Sequence, residues 1–310
     1  MPNPWAARYV IGSIGWGLGR DIMRLLTFAR DGGERLGVRR GEAIVDLALA
    51  MPAAPADWPS VFAADALADV ARAAAAAPAK ALVAAESVRL LPPIPRPPKI
   101  LCIGLNYRSH AEEIGLAIPE YPIVFARYPA SLVAADVPLV RPAASDNFDY
   151  EAELVAAIGR GGRRIPRARA LAHVAGYTLC NEGSIRDYQF KTSQWAMGKN
   201  FDATGAIGPE IVTADELPPG AVGLRIQCRL NGKTMQDSTT DDLIFDVATL
   251  VTELSAVMSL EAGDLIVTGT PPGVGFVRKP PVWMKPGDTC EVEIEGIGVL
   301  RNTVVAEGPA

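Results

Sequence analysis

The segment Leu91-Pro92-Pro93-Ile94-Pro95-Arg96-Pro97-Pro98 constrains this chain more than any other. Its five prolines in eight residues fix φ and remove backbone donors, so it is neither a helix nor a central strand. It separates two textures. Residues 1–22 are apolar but broken by glycines and read as an irregular extension. Residues 23–98 read as a small N-terminal β-rich domain that ends in the linker 91–98. Within it, MRLLTFAR, ERLGVRR and EAIVDL are strand-like, with a turn at Asp31-Gly32-Gly33. The alanine-rich stretch Ser60 to Val88 reads as helix, broken at Pro78. Residues 99–310 form a larger unit of strand-like runs: KILCIGLN, DYEAELVAAIG, VAGYTLCN, LRIQCRLNG, DLIVTGT and CEVEIEG. Short helices are predicted at Tyr107 to Gly115, Pro166 to His173, Ser184 to Lys191 and Phe245 to Met258, and a hairpin turn at Asn231-Gly232. The pattern is α+β, mainly β, and not a regular βαβ array.

Composition narrows the function classes. The chain is 49% hydrophobic and 21% charged with a formal charge of −5, as in a globular protein. Few aromatics and a net negative charge exclude a phosphate-tracking or base-stacking nucleic-acid surface. The densest basic run, Arg160, Arg163, Arg164, Arg167 and Arg169, is interrupted by Gly161, Gly162 and Pro166, and reads as a solvated turn leading into a helix. No apolar run reaches the ~20 residues of a membrane helix. The N-terminus lacks a basic start followed by a continuous apolar stretch. The expectation is a cytoplasmic protein with neither a membrane nor a nucleic-acid partner. Cys102, Cys180, Cys228 and Cys290 sit in apolar runs without a C-x-x-C pair, and are expected to be reduced and buried.

Four segments carry chemistry. In Asp149-Tyr150-Glu151-Ala152-Glu153-Leu154-Val155, strand periodicity puts Glu151 and Glu153 on one face, roughly 7 Å apart at the backbone. Tyr150, Ala152 and Leu154 face the other way. Two carboxylates beside the apolar Val155 and Ala157 repel each other unless a proton or cation intervenes, and a hard divalent ion suits oxygen ligands. In Asn181-Glu182-Gly183-Ser184, a carboxylate at a strand end can complete such a site. Ser184 is a candidate N-cap, and Gln189 lies on the helix after it. In Asn106-Tyr107-Arg108-Ser109-His110-Ala111-Glu112-Glu113, His110 and Glu113 are i,i+3 neighbours on a helix. A carboxylate there orients the imidazole and raises its basicity, as a general base requires. His173 reads as structural. Last, Thr268-Gly269-Thr270-Pro271-Pro272-Gly273 ends a strand in small residues that let a ligand approach backbone N–H groups and the Thr270 hydroxyl.

Taken in order, GLNYRSHAEE, FDYEAELVAAIG, VAGYTLCNEGSIRDYQ, DLIVTGTPPGVG and WMKPGDTCEVEIEGIGVLRN resemble the fumarylacetoacetate hydrolase family, in its acylpyruvase and 2-hydroxyhepta-2,4-diene-1,7-dioate isomerase-like branch. The likeness runs from about Lys99 to Val304. It implies a mixed β-sandwich roll, usually homodimeric, with 99–310 as the catalytic domain. It implies Mg²⁺ or Mn²⁺ (Ca²⁺ in a crystal) held by Glu151, Glu153 and Glu182, although the family's common residue at the third position is Asp. His110 and Glu113 match the catalytic pair, and Lys199 a lysine near the substrate. Gln189 and Thr270 match substrate contacts, with Arg127 where many members have Lys. The implied reaction is hydrolysis of a C–C bond in a small 2,4-dioxo acid through a metal-stabilised enolate. Isomerase or decarboxylase chemistry on a related 2-oxo acid uses the same groups. The reading of another class is a non-catalytic metal- and acid-binding protein.

Overall fold

Residues 23–308 are described in this computed structural model, so the expected extension 1–22 lies outside the described residues. Arg24–Arg30, Gly33–Arg40 and Ala43–Asp46 form an antiparallel meander. Its first turn takes positive φ at Asp31 (52°) and Gly32 (76°), which matches the twist of a tight hairpin. Asn231 and Gly232 turn the same way.

The meander does not stand apart. Arg24–Arg30 pairs with Gly205–Thr213, which pairs with Val174–Asn181 and through it with Ala152–Ile158. The sheet continues through Leu265–Val267 to Ile100–Gly104 and the edge strand Ile123–Ala126, giving twelve strands in all. One apolar cluster joins Leu25, Trp58, Phe62 and Val70 to Cys102, Val155, Ile211 and Val267. The sheet and core thus cross the proline segment. Pro93 O accepts from the buried Thr27 hydroxyl at 2.7 Å, tying the segment to the first strand.

A second sheet of five strands runs Lys233–Thr239, Arg225–Leu230, Thr289–Ile294, Gly298–Ala306, Leu139–Arg141. The larger core lies between the two sheets, with Leu154, Tyr177 and Leu179 against Cys228, Val292 and Leu300. The helix Val247–Val257 closes one end of it, with Leu250, Val251 and Leu254 buried. Mixed sheets with a minority of helices and sheet-on-sheet packing are the expected α+β, mainly β, sandwich.

Two local expectations need correction. The alanine-rich stretch is α-helical only at Trp58–Ala63 and Leu67–Ala75; beyond Pro78, Leu82–Ala84 is a strand paired with Ala43–Asp46, between single 3-10 turns at Ala79–Ala81 and Ala85–Ser87. Sheet pairing overrides alanine's helix preference there. Ser184 is no N-cap: Ser184–Ile185 is a short strand paired with Phe148–Asp149, and the helix Arg186–Gln189 follows without a side-chain cap. The arginine run is solvent-facing, as expected. Arg167 pairs with Asp246, the N-cap of Val247–Val257, and Arg163 donates to Ala256 O near that helix's other end. All four cysteines are free and buried.

Candidate metal centre and active site

Alternation along Ala152–Ile158 sorts its side chains as expected. Tyr150, Ala152, Leu154, Ala156 and Ile158 enter the inter-sheet core, while Val155 and Ala157 enter the other cluster. Glu151 precedes this strand and Glu153 lies in it. Two pairings draw Glu182 alongside. Ala152 is opposite Asn181 in one ladder, and Asp149 is opposite Ser184 in the other. Glu151 and Glu182 are caught between, with Glu182 N–H donating to Glu151 O at 2.8 Å. Each of Glu151, Glu153 and Glu182 offers a carboxylate oxygen within 4.8 Å of the others, and all three are buried.

Two glycines permit this approach by lacking a Cβ. A methyl at Gly183 would overlap the Thr204 carbonyl oxygen, and one at Gly198 the Gln189 backbone. Gly183 follows Glu182, and Gly198 precedes Lys199 in the turn Ala196–Lys199. Gly198→Ala is expected to destabilise the fold by about 1–3 kcal/mol, measured by urea unfolding.

Two cations face the carboxylates. Lys199 Nζ donates to Glu151 Oε2 at 2.6 Å and Glu182 Oε2 at 2.8 Å. Arg186 Nε donates to Asp149 Oδ2 at 2.8 Å, and its Nη2 lies 2.7 Å from Glu151 Oε1. Arg186 Nη1 also donates to Gln189 Oε1 at 2.8 Å, which fixes that carboxamide. Burial works against the charge on Glu151, but Arg186 and Lys199 outweigh it and hold its carboxyl well below the usual range. Glu153 lacks such a partner. Burial, then Glu182 and Glu151, push it well up, against only the Gly269 N–H at 2.6 Å and the more distant Lys199. Asp149, Glu151, Glu153 and Glu182 with Arg186 and Lys199 leave a formal charge of −2 in a buried site. Glu182 Oε1 is buried with no hydrogen-bond partner. An all-oxygen donor set, an orphaned carboxylate oxygen and a deficit of two charges fit a hard divalent cation.

The base candidate opens on the same cavity. His110 sits in the helix Arg108–Glu113, 5% exposed, with Nδ1 3.0 Å from Glu113 Oε2. Glu113 is itself fixed by Gly273 N–H, 2.9 Å from its other oxygen. This leaves Nε2 as the ring atom free for proton transfer. A cavity of about 90 Å³ is lined by His110, Glu151, Glu153, Glu182, Lys199 and Gln189, with Arg186 and Thr270. Its apolar wall is Phe125, Phe190, Trp195 and Phe276.

The structure therefore gathers eight of the nine predicted site residues, counting Glu113 through His110. Arg127 is the exception and is corrected. It is 2% exposed, off the cavity, with its guanidinium bonded to Gly183 O, Ser131 and Thr204. It buttresses the turn behind Glu182. Thr270 lines the cavity, but its hydroxyl already donates to Ala152 O at 3.0 Å and accepts from Gln236 at 2.9 Å. Arg186 was not singled out in the sequence. A basic residue three positions before Gln189, between two strand-forming segments, is the signal it offered. His173 bonds the Arg160 carbonyl at 2.8 Å and stays structural.

Three buried carboxylates and an oriented imidazole line one cavity carried on packed mixed sheets, an arrangement that could hold a divalent cation beside a base. Residues 99–305 match the family profile described as fumarylacetoacetate (FAA) hydrolase C-terminal. The chain belongs to the fumarylacetoacetate hydrolase family, whose members are enzymes, and the non-catalytic alternative is set aside. It is 41% identical over 220 residues to a protein of Bos taurus named oxaloacetate tautomerase FAHD2A, mitochondrial, covering 70% of each chain. A fumarylacetoacetate hydrolase from the psychrophile Exiguobacterium antarcticum superposes with a TM-score of 0.79 at 36% identity, over 92% of this chain and all of that one. A maleylpyruvate hydrolase from Sphingobium sp. SYK-6, solved with manganese(II) and pyruvate, superposes at 0.77 with 29% identity and the same coverage.

Proposed function

We propose that this enzyme moves a proton at the carbon next to the keto group of a small 2-oxo acid, interconverting keto and enol forms. The observation that carries this is His110, oriented by Glu113, facing the same small cavity as Glu151, Glu153 and Glu182. A divalent ion, Mg²⁺ or Mn²⁺, held by these three carboxylates would supply Lewis acidity toward the keto and carboxylate oxygens. The chain's own groups do the rest. His110 Nε2 takes and returns the proton, while Glu113 holds the tautomer and offsets the imidazolium charge. Lys199 and Arg186 neutralise the carboxylates, and Lys199 offsets negative charge that develops on the substrate. Gln189, its oxygen engaged by Arg186, keeps its Nε2 donors for a substrate oxygen. The aromatic wall limits water. A volume of about 90 Å³ is far below the ~300–1,000 Å³ of pockets for drug-sized ligands, as suits an acid of a few carbons. The name and 41% identity of the bovine relative support the tautomerase reading.

The second reading is hydrolysis of a 2,4-dioxo acid. The same imidazole–carboxylate pair can deprotonate water, and the maleylpyruvate hydrolase has a closely similar fold. The test is a panel of 2-oxo and 2,4-dioxo acids with and without EDTA, followed for tautomer ratio and pyruvate release. Tautomerisation shifts the ultraviolet spectrum without product, and hydrolysis yields pyruvate plus an acid. Turnover that survives EDTA unchanged contradicts both readings. Saturating Mn²⁺ is expected to raise the melting temperature by a few degrees, since an ion held at ~100 times its Kd adds about 2.7 kcal/mol, measured by scanning fluorimetry.

The reading includes a cytoplasmic homodimer. Four free thiols suit a reducing compartment. The exposed Leu116, Ile118, Tyr121, Ile123 and Val124, on and beside the edge strand Ile123–Ala126, suit a second copy. Sedimentation is expected to give twice the chain mass. Among the described residues, no helix is long and apolar enough to cross a membrane.

A further inference from the structure

The helix that carries His110 is not capped by its own sequence. Tyr107, at its N-cap position, makes no side-chain hydrogen bond to the first turn. The cap comes from Asp242. Ser109 N–H donates to Asp242 Oδ2 at 3.0 Å, and the Ser109 hydroxyl donates to the same oxygen. Asp242 ends the turn Thr240–Asp242, which follows the strand Lys233–Thr239 of the second sheet. That turn is anchored by the buried Thr240 hydroxyl, which accepts from Leu224 N–H at 2.9 Å and donates to Ala221 O at 2.7 Å.

The contact continues along both segments. Tyr107 bridges Leu243. Asn106 O accepts from Ile244 N–H at 2.8 Å. The fully buried Asn106 carboxamide accepts from Phe245 N–H at 2.8 Å and donates to Phe245 O at 3.0 Å and Thr268 O at 2.7 Å. Thr268 adjoins Gly269, whose N–H holds Glu153. One hydrogen-bonded seam thus references the His110 helix to the second sheet and to the strand end beside the carboxylates.

We propose that Asp242 is a positioning residue for the reaction, capping the His110 helix from the second sheet and setting where the imidazole stands relative to the carboxylate triad. Asp242 does not line the cavity, so it acts through Ser109 and the helix, not on substrate. The proposal rests on His110 being the base. Helix entry is the right place for such control, because a shift of about 1 Å in a catalytic group can cost on the order of 100-fold in rate.

The experiment compares Asp242→Ala, Asp242→Asn and Ser109→Ala in the full-length protein, alone and combined with His110→Ala, with oxaloacetate and Mg²⁺ as probe. Asp242→Ala is expected to lower kcat roughly tenfold with KM and Mg²⁺ affinity within about twofold, because only the transition-state geometry is disturbed. Asp242→Asn keeps an acceptor oxygen and is expected to recover most of the rate. In the His110→Ala background, Asp242→Ala is expected to cost nothing further. A second arm needs no turnover. The chain has two histidines, so the ring Cε1–H signals of His110 and His173 are resolvable by NMR, with His173→Asn for assignment. Asp242→Ala, or Ser109→Ala should that variant not fold, is expected to move the His110 signal and leave His173 in place. An unmoved His110 signal overturns the proposal, as does an equal loss of rate with and without His110. Wild-type turnover in His110→Ala alone would remove the base assignment, and with it the catalytic half of the proposal. It would leave the capping half to the NMR arm.

Discussion

Glu151→Ala is expected to abolish metal-dependent turnover and divalent-ion binding together. Glu151 is the carboxylate that Lys199, Arg186 and Ser184 all contact. Removing it takes away one of the three proposed ligands and one carboxylate partner from each of two buried cations. Loss of an outer-sphere partner alone costs roughly 10–100-fold in metal affinity, so loss of a ligand should exceed that. Arg186 keeps Asp149 and Lys199 keeps Glu182, so the loss of one partner each destabilises the fold by less than the roughly 3–5 kcal/mol of a fully broken buried ion pair. Glu151→Gln keeps the shape and separates the two effects. It should stay folded by circular dichroism while Mn²⁺ binding by calorimetry falls below detection. Unchanged Mn²⁺ affinity in Glu151→Gln would remove Glu151 from the ligand set.

His110→Ala should have the opposite signature. The ring touches Glu113 and none of the three carboxylates, so Mn²⁺ affinity is expected to stay within about twofold while kcat falls by roughly 10²–10⁴, the usual worth of a positioned base. Glu113→Gln should fall between the two, since it keeps the ring in place but removes the charge that stabilises its protonated form. A calorimetric titration beside a rate measurement on the same preparation separates these outcomes. His110→Ala turning over at the wild-type rate places the base elsewhere.

The parts of this site legible in the sequence are those set by local periodicity. Glu151 and Glu153 share a face because strand side chains alternate, and the apolar residues around them sort into two cores on the same rule. His110 and Glu113 meet because i and i+3 are neighbours on a helix turn. Glu182 and Lys199 are different. They arrive through pairings between distant segments: Glu182's place at a strand end made it a candidate without showing what it meets, and only the resemblance to a family pointed to Lys199. Arg186 was missed for the same reason: its role depends on Phe148–Asp149 meeting Ser184–Ile185. Arg127 was assigned only because it falls where many family members have Lys; here its guanidinium is consumed by Gly183, Ser131 and Thr204. The proline segment marks where the family match begins. It does not mark a break in the core, because the pairing of Arg24–Arg30 with Gly205–Thr213 spans too much chain to be read from either segment. Ser184 illustrates the same competition on a small scale. A residue that caps well in isolation was drawn into a strand, and its hydroxyl went to Glu151 and Glu182 O.

If Glu151, Glu153 and Glu182 share one divalent cation next to His110, that ion is directly observable. Crystals grown with Mn²⁺ and examined by anomalous scattering at the manganese edge test it directly. One strong peak is expected within bonding distance of oxygens from all three glutamates, on the cavity that His110 faces. A chain that takes up Mn²⁺ only elsewhere, such as the acidic cleft at Asp241 and Asp246, or that keeps Lys199 bonded to Glu151 and Glu182 with no ion beside them at saturating Mn²⁺, would overturn it.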